Sequence, residues 1–397
     1  MKDVKISDYL WFQEGPGVRN TQYTTSGVKL INVANLVDGN VDLSTSDRYI
    51  SEEEAYGKYN HFLADDGDFV IASSGIKIDY FDKKMGFIKK EHLPLCMNTS
   101  CIRFKVLDTN NLEIKYFMYY LKSNSFKKQL FNQITGSAQL NFGPSHLKKM
   151  TFPLIELKEQ KRIIERLDKT QNIINETKYL LSKYDTLIKS RFIEMFGDNP
   201  TENGKWNIEK LEDVCTVTSS KRIYAEEQST SGVPFLRISD LVSRINGNPI
   251  NDLFIPNSKF KEFQTKGLVP SVDDILITSR GTLGLCYIIK PEDKFYFQDG
   301  MITWLAFENH NKVLSVFIDW LFKSVLKTKI DNETNGATVK YVSISDLKKL
   351  QIPVPQIELQ NDFAAFVQQI DKSKFAVQKS LEKAETLYKS LMQEYFG

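Results

Sequence analysis

The sequence predicts an α+β fold with two α/β domains, related by internal duplication, and two long helices that pair with each other. Three observations support this prediction: long stretches of the chain recur, two segments keep heptad spacing, and the remainder mixes apolar runs with turn residues. We expect the domains at residues 1–155 and 198–355 and the helices at 156–197 and 356–397.

The duplication is clearest at the end of each half. Residues 184–197 (YDTLIKSRFIEMFG) and 384–397 (AETLYKSLMQEYFG) are identical at seven of fourteen positions without a gap. Segments 136–160 and 336–360 share Gly136/Gly336, Leu-Lys-Lys at 147–149 and 347–349, Pro153/Pro353 and Gln160/Gln360. The middle of each half matches loosely and differs in length, which indicates one scaffold that carries two different surfaces.

Two segments, 163–195 and 363–395, alternate apolar steps of four and three residues, the spacing of a coiled-coil heptad. Neither segment contains Gly or Pro before Gly197 and Gly397, which are placed to end a helix. We therefore expect the two helices to pair; the alternative is that each packs on its own domain. The predicted seam residues are Ile163, Leu167, Ile174, Leu181, Tyr184, Ile188 and Met195, and Phe363, Val367, Ile370, Val377, Leu381, Tyr388 and Leu391.

A second apolar line runs along the first helix outside this seam. Its residues, Ile173, Leu180 and Leu187, are spaced by seven. An additional apolar line on a helix pair favours a face that docks a partner protein. The alternative is that these residues only widen the seam.

Apolar and β-branched runs between Gly, Asn and Asp predict the strands of both domains. They are Val28–Val33, Phe69–Ala72 and Ser100–Val106 in the first half, and Phe235–Ile238, Ile275–Thr278 and Met301–Phe307 in the second. One helix per domain is expected, near 112–132 and 313–331. Long loops at 38–62 and 243–266 are where binding residues tend to lie.

Composition excludes several classes of protein. No apolar run approaches the roughly 20 residues of a membrane helix, and the N-terminus lacks the layout of a signal peptide. The four cysteines form no C-x-x-C pair, which argues against a zinc site or a disulfide framework, so we expect a cytoplasmic protein. No G-x-x-x-x-G-K-S/T phosphate loop is present, and Asp274 with Glu292-Asp293-Lys294 only faintly resembles a metal-dependent nuclease motif. No catalytic or metal site is predicted.

The order of these features resembles that of the specificity (S) subunits of type I restriction-modification systems. The resemblance is carried by Gly136–Gln139, by Leu147–Pro153 through Gln160, by the parallel run Gly336–Gln360, and by the Phe-Gly helix ends. It covers essentially the whole chain. One departure is that Lys161-Arg162 becomes Asn361-Asp362 in the second half, so basic residues usual in this segment of the family are lost.

This resemblance implies two target-recognition domains in a pseudo-twofold arrangement, each reading one half of a split, asymmetric DNA site, and an antiparallel coiled coil that sets the gap between the halves. It also implies two methyltransferase (M) subunits that methylate adenine N6 with S-adenosylmethionine, and motor-nuclease (R) subunits that use ATP and Mg. The chain itself would bind double-stranded DNA and these subunits, hold no cofactor, and be non-catalytic.

Base edges and phosphates are read by forked, amide, hydroxyl and basic side chains, which we expect on loops after strands. The predicted DNA contacts are Arg19, Asn20, Ser73, Ser74, Lys77, Gln139 and Asn141 in the first domain, and Lys221, Arg222, Arg280, Thr282, Lys340 and Tyr341 in the second. Arg280 is the strongest candidate because it stands in a Ser-Arg-Gly turn where the first half has Ser74. A solvated surface arginine is the alternative.

Net charge is only +2, so composition does not by itself argue for DNA binding. Two other functions therefore stay open. The chain could be a coiled-coil interaction scaffold without DNA contact, or a DNA-modifying enzyme that acts alone. The missing cofactor and metal motifs argue against the second.

Overall fold

A computed structural model describes residues 2–133, 140–202, 204–250, 252–281, 283–308, 310–326 and 341–397. The chain divides into two compact units. The first contains Met1–Thr177 and Ser380–Gly397, and the second contains Lys178–Lys379. Each long helix therefore contributes residues to both units.

The first unit is built on two small sheets. A four-stranded antiparallel sheet has the order β2-β11-β7-β9, and a three-stranded sheet has the order β10-β3-β6, in which β3 and β10 are parallel. Strands β1 and β13 pair separately, as do β4 with β5 and β8 with β12. The strands are β1 Lys2–Lys5, β2 Leu10–Glu14, β3 Val28–Ile31, β4 Leu36–Val37, β5 Asn40–Val41, β6 Tyr49–Ile50, β7 Phe69–Ala72, β8 Ser74–Ile76, β9 Met85–Phe87, β10 Leu95–Met97, β11 Cys101–Val106, β12 Leu140–Asn141 and β13 Thr151–Leu154. The α-helices are α1 Ile6–Tyr9, α2 Glu52–Tyr56, α3 Ile114–Lys122, α4 Asn124–Gln133, α5 Pro144–Leu147 and α6 Leu157–Phe196, and short 3-10 helices lie at Asn20–Gln22, Val33–Asn35, Leu43–Thr45, Asn60–Phe62, Ile78–Lys83 and Lys90–His92.

The second unit repeats this topology. Its sheets have the orders β15-β21-β18-β19 and β17-β16-β20, and β14 pairs with β22. The strands are β14 Asn207–Lys210, β15 Thr216–Thr218, β16 Val233–Leu236, β17 Phe254–Ile255, β18 Ile275–Thr278, β19 Cys286–Ile288, β20 Tyr296–Phe297, β21 Ile302–Ala306 and β22 Gln351–Val354. The α-helices are α7 Leu211–Val214, α8 Ile238–Ile245, α9 Asn257–Thr265, α10 Ser315–Leu321 with a π-helical turn at Phe322–Leu326, α11 Ile344–Lys349 and α12 Ile357–Phe396, and a 3-10 helix lies at Ala225–Glu227. The predicted duplication is therefore confirmed.

One glycine position shows how closely the backbones correspond. Gly27 and Gly232 have φ angles of 124° and 130°. A Cβ on either would lie 2.2–2.3 Å from a carbonyl oxygen, that of Ile50 or Ile255. Only glycine fits such an approach with this backbone conformation, so both halves retain it.

In the first unit, the start of α6 packs against the end of α12. Ile163 and Leu167 share a hydrophobic core with Leu391 and Phe396, and Arg166 donates a hydrogen bond to the Tyr395 hydroxyl. Since the first turns of one helix contact the last turns of the other, the two helices run antiparallel here.

In the second unit, the end of α6 packs against the start of α12, whereas in the first unit the start of α6 packs against the end of α12. The Phe363 ring lies 5.4 Å from that of Phe192 and 5.6 Å from that of Phe196. Further along, Lys374 Nζ lies 2.7 Å from Asp185 Oδ1. The prediction that the helices pair with each other is confirmed in each unit.

All fourteen predicted seam residues are buried or half-buried. By contrast, Ile173, Leu180 and Leu187 are 51%, 42% and 46% exposed. Their line therefore lies outside the buried seam, while its docking role stays a prediction.

The helices predicted within the domains differ from those observed. The segment near 112–132 is two helices, because the Ser123 side chain accepts a hydrogen bond from Phe126 N and begins α4. The segment near 313–331 contains α10 and the π-helical turn, and its last residues lie outside the described ranges. The two predicted long loops contain α2 and α9, so they are not free of regular structure.

A buried glutamine fixes the start of each long helix to the domain that precedes it. The Gln160 side chain accepts from Glu113 N and donates to the carbonyl oxygens of Asn111 and Ile155, each at 2.9 Å. Gln360 makes the same three bonds, at 2.8–2.9 Å, with Leu314 N, Lys312 O and Pro355 O. Both glutamines are fully buried. A side-chain amide therefore satisfies backbone groups that would otherwise be buried without partners.

Replacing Gln360 by leucine should destabilise the second unit by about 2–4 kcal/mol, because one N–H and two carbonyl groups lose their partner. Urea unfolding followed by circular dichroism measures the effect. Gln369→Leu, at an exposed position of the same helix, is the control and should leave the midpoint nearly unchanged. An equal effect of both variants would show that the buried amide has no special role.

Candidate nucleic-acid interface

The two units place different side chains at one equivalent corner of the fold. In the first unit Asn141 pairs with Ser74, and Phe142 N donates to Ser73 O at 3.0 Å. In the second unit Arg280 bridges to Tyr341, and Val342 N donates to Ser279 O at 3.0 Å. We call Ser74 with Asn141 the first corner and Arg280 with Tyr341 the second corner.

Glycine follows the first residue of each corner. Gly75 and Gly281 have φ angles of 75° and 73°, in the left-handed region that favours glycine. The chain therefore leaves the sheet in the same way in both units. What differs is the pair of side chains displayed there.

The second corner presents a free cation beside an aromatic ring. Arg280 is exposed, and its side chain forms no hydrogen bond or ion pair with any of the described residues. Tyr341 is 48% exposed. A forked guanidinium without an internal partner is available for a ligand with two acceptors, such as a guanine edge or a phosphate.

The first corner is smaller and uncharged. Asn141 is exposed and Ser74 is half-buried. Ser73 is fully buried, with its hydroxyl 3.5 Å from Thr99 O, so in this conformation it presents no side-chain atom to DNA. An exposed amide has a donor and an acceptor, which match the N7 and N6 groups of adenine.

The second corner opens onto a cavity of about 420 Å³ that gathers three arginines. Arg222 Nε lies 2.9 Å from Asp299 Oδ2, and Arg237 Nε lies 3.3 Å from Asp240 Oδ2. The third is Arg280. Gln228 and Gln298 also line the cavity. Two guanidinium groups are thus paired with carboxylates, while the third has no such partner among the described residues.

Four further predicted contacts lie at exposed positions outside the two corners. Lys221 is exposed, and its backbone N–H donates to the Tyr296 hydroxyl at 2.8 Å, which fixes the loop that carries Arg222. Arg19, Asn20 and Lys77 are exposed, and in the described residues no side-chain hydrogen bond or ion pair joins them to the first corner. Gln139, Thr282 and Lys340 lie outside the described residues.

The sequence prediction missed Arg237, although this residue lines the arginine cavity. The predicted strand Phe235–Ile238 included it, but the strand ends at Leu236 and Arg237 precedes helix α8. The signal was present in the repeat, because the aligned residue in the first half is Asn32. A change from a buried amide to an exposed arginine marks a surface that differs between the halves.

Asp274, considered above for metal chemistry, has a structural role. Asp274 accepts hydrogen bonds from Trp304 Nε1, Ser271 N and Phe307 N at 2.7–3.0 Å. Its carboxylate is therefore occupied by fold contacts. No group of three His, Cys, Asp or Glu side chains is arranged to hold a metal ion in the described ranges. Among the same residues, no helix combines the length and apolarity of a membrane span.

A family model described as the type I restriction modification DNA specificity domain matches residues 19–181 and 203–385. The chain belongs to this family. The two matched segments correspond to the two halves of the repeat, so the recognised domain is present twice.

Individual relatives agree with this assignment. A candidate type I restriction enzyme specificity subunit of Haemophilus influenzae is 24% identical over 265 residues, which cover 66% of this chain and 65% of the relative. A candidate MjaX specificity subunit of Methanocaldococcus jannaschii is 24% identical over 388 residues, or 92% of this chain and 85% of the relative. The crystal structure of the S subunit of a type I restriction-modification system from M. genitalium has the same fold, with a TM-score of 0.55, 16% identity and coverage of 100% and 96%.

The four cysteines should be unreactive in the folded protein. All are buried, and burial raises the pKa of Cys96, Cys101 and Cys215 to about 12. At pH 8 these thiols stay protonated, and the thiolate is the reactive form. Titration with Ellman's reagent should therefore detect them only after unfolding in urea, whereas an added Ser345→Cys at an exposed site reacts at once. Fast reaction of a native thiol would contradict the burial.

Proposed function

We propose that this chain is the DNA-reading subunit of a type I restriction-modification enzyme. Each domain reads one half of a bipartite, asymmetric DNA site, and the paired helices set the spacer and dock methyltransferase subunits. The observation that carries the proposal is the pair of corners: one hydrogen-bonded backbone frame displays Ser74 with Asn141 in one unit and Arg280 with Tyr341 in the other. Two readers of different sequence require this combination of constant frame and variable side chains.

The chemistry of the corners suits base recognition in the major groove. An arginine can bond both acceptors of guanine, and an asparagine can bond both polar groups of adenine. Phosphate contacts fix the protein on the duplex without reading sequence. Arg222 and Arg237, which pair with Asp299 and Asp240, are suited to this second task because their side chains stay 64% and 46% exposed.

The partners follow from the same proposal. The methyltransferase subunits supply S-adenosylmethionine and methylate adenine at N6, and the motor-nuclease subunits supply ATP and Mg chemistry. This chain contributes recognition and holds no cofactor. The exposed line Ile173, Leu180 and Leu187 on α6 is the proposed contact for a methyltransferase subunit, because exposed apolar rows favour protein docking.

The proposal is tested by measuring DNA affinity of the chain with its methyltransferase partner over a salt series. Phosphate contacts release counterions, so the affinity should fall steeply with increasing salt. Affinity that is absent, or does not depend on salt, would favour an interaction scaffold without DNA contact. Incubation of the purified chain alone with a labelled methyl donor tests for an enzyme that acts by itself.

Replacing Arg280 by alanine should weaken specific binding by about 1–3 kcal/mol and relax the methylated motif at one position, because a bidentate guanine contact is lost. Sequencing of methylated adenines in cells that express the complex measures this change. Arg280→Lys is the informative comparison, since lysine keeps the charge but not the fork. A wild-type motif in both variants would exclude a base contact.

Exchanging residues 1–150 for the equivalent part of a relative should change one half of the methylated site and leave the other half and the spacer intact. The reason is that this segment contains the first corner, whereas the second corner lies in the other unit. Methylome sequencing again gives the result. Alteration of both halves would be incompatible with two independent readers.

A further inference from the structure

A buried carboxylate faces a cavity in the second unit, away from the corner. The cavity has a volume of about 690 Å³ and lies beside α10, with walls from α6 and α12. Its charged lining consists of Asp185, Lys189, Asp319, Lys323, Asp371 and Lys374. None of these residues belongs to the proposed DNA interface.

Asp319 is only partly satisfied. Its side chain is on α10, and the residue is 7% exposed. Oδ2 accepts a hydrogen bond from Lys323 Nζ at 2.7 Å, but Oδ1 is buried without a hydrogen-bond partner. Burial raises the pKa of this carboxyl group. A buried acceptor without a donor costs free energy, so Asp319 destabilises the fold unless a ligand supplies the donor.

The duplication supplies an internal comparison for this position. Segment 116–123 (YFMYYLKS) aligns with 317–324 (FIDWLFKS), which places Met118 opposite Asp319. Met118 is 8% exposed, so the same site is apolar and buried in the first unit. The scaffold therefore does not need a carboxylate here. A residue that costs stability and that the fold does not require points to binding.

The remaining charges of the cavity are unevenly paired. Lys374 forms an ion pair with Asp185, with Nζ 2.7 Å from Oδ1, and Lys323 forms one with Asp319, with Nζ 2.7 Å from Oδ2. Asp371 forms no ion pair within 4 Å with another described residue, and neither does Lys189. Among the described residues, the acceptors without a protein donor are therefore Asp319 Oδ1, which is enclosed by protein atoms, and the Asp371 carboxylate, which is exposed. A ligand that satisfies both must present more than one N–H group, and it reaches Oδ1 only once the Asp319 side chain turns toward the cavity.

We propose that this cavity is a socket for a guanidinium group, presented as an arginine side chain by a protein partner. A guanidinium has several donors in one plane, as two separated carboxylate acceptors require. Its flat faces and alkyl stem suit the apolar part of the wall, which includes Trp320 and Val367. The proposal refines the protein-docking part of the proposed function and is independent of DNA reading.

Binding is tested with agmatine, which is a guanidinium on an alkyl chain, added to the full chain and followed by saturation-transfer NMR. We expect saturable binding with a millimolar dissociation constant, weakened at least tenfold in Asp319→Met and Asp319→Asn. Putrescine and potassium chloride at equal ionic strength are the comparison ligands. An equal response to either of them, or agmatine binding that both variants retain, overturns the guanidinium assignment.

Stability gives a second readout. Asp319→Met installs the residue of the first unit and should raise the urea midpoint, since an unsatisfied carboxylate is removed. Asp185→Asn also removes one negative charge from this cavity, but it breaks the ion pair with Lys374. The urea midpoint of this variant should therefore stay unchanged or fall. A lower midpoint for Asp319→Met would show that the carboxylate is structural, and Asp319→Asn decides the binding test if the methionine variant does not fold. If the chain does not bind DNA but still binds agmatine, the proposed DNA-reading function is wrong and the guanidinium site is unaffected.

Discussion

Each domain depends on a single buried amide at the point where its long helix begins. Gln160 and Gln360 satisfy one backbone N–H and two carbonyl groups of the preceding segments. No apolar side chain could make these bonds, and a charged one would have to be buried. The amide fixes the direction in which the helix leaves the domain, and the seam then places the end of the other helix in the same core. Phe396 packs on Tyr116 in the first unit, and Phe196 packs on Phe317 in the second.

Both halves share this junction, but around it equivalent positions have different side chains or different side-chain partners. Asp68 and Asp274 occupy the same position before β7 and β18, and both are buried. Asp68 pairs with the Arg103 guanidinium at 3.1 Å, whereas Asp274 accepts from the Trp304 indole at 2.9 Å. The carboxylate is retained because it also accepts from backbone N–H groups, while its side-chain partner is free to change. The corners show the same division, since their backbone bonds are constant and their exposed groups differ.

The sequence predicted the repeated elements well because duplication and heptad spacing are long-range patterns. Both long helices end at Phe196 and Phe396, directly before the predicted glycines, and strands Phe69–Ala72 and Ile275–Thr278 have the predicted bounds. Local signals were weaker. The break at Ser123 arises from a side-chain hydrogen bond within an otherwise apolar helical segment. Burial of Ser73 could not be predicted, because the Ser-Ser-Gly run does not reveal which serine faces the core. Arg237 was assigned to a strand that ends one residue earlier, at Leu236.

The most informative differences between the halves are those in which a polar group replaces a satisfied or apolar one. A surface change, such as Arg280 opposite Ser74, costs the fold little because water solvates both side chains. A buried change is different: where Met118 fits an apolar site, Asp319 leaves one oxygen without a donor in an equivalent place. Since both halves fold on one topology, this comparison separates what the scaffold requires from what it tolerates. The common fold does not account for a buried cost that only one half carries, and this is the reason for which we looked to binding for its origin.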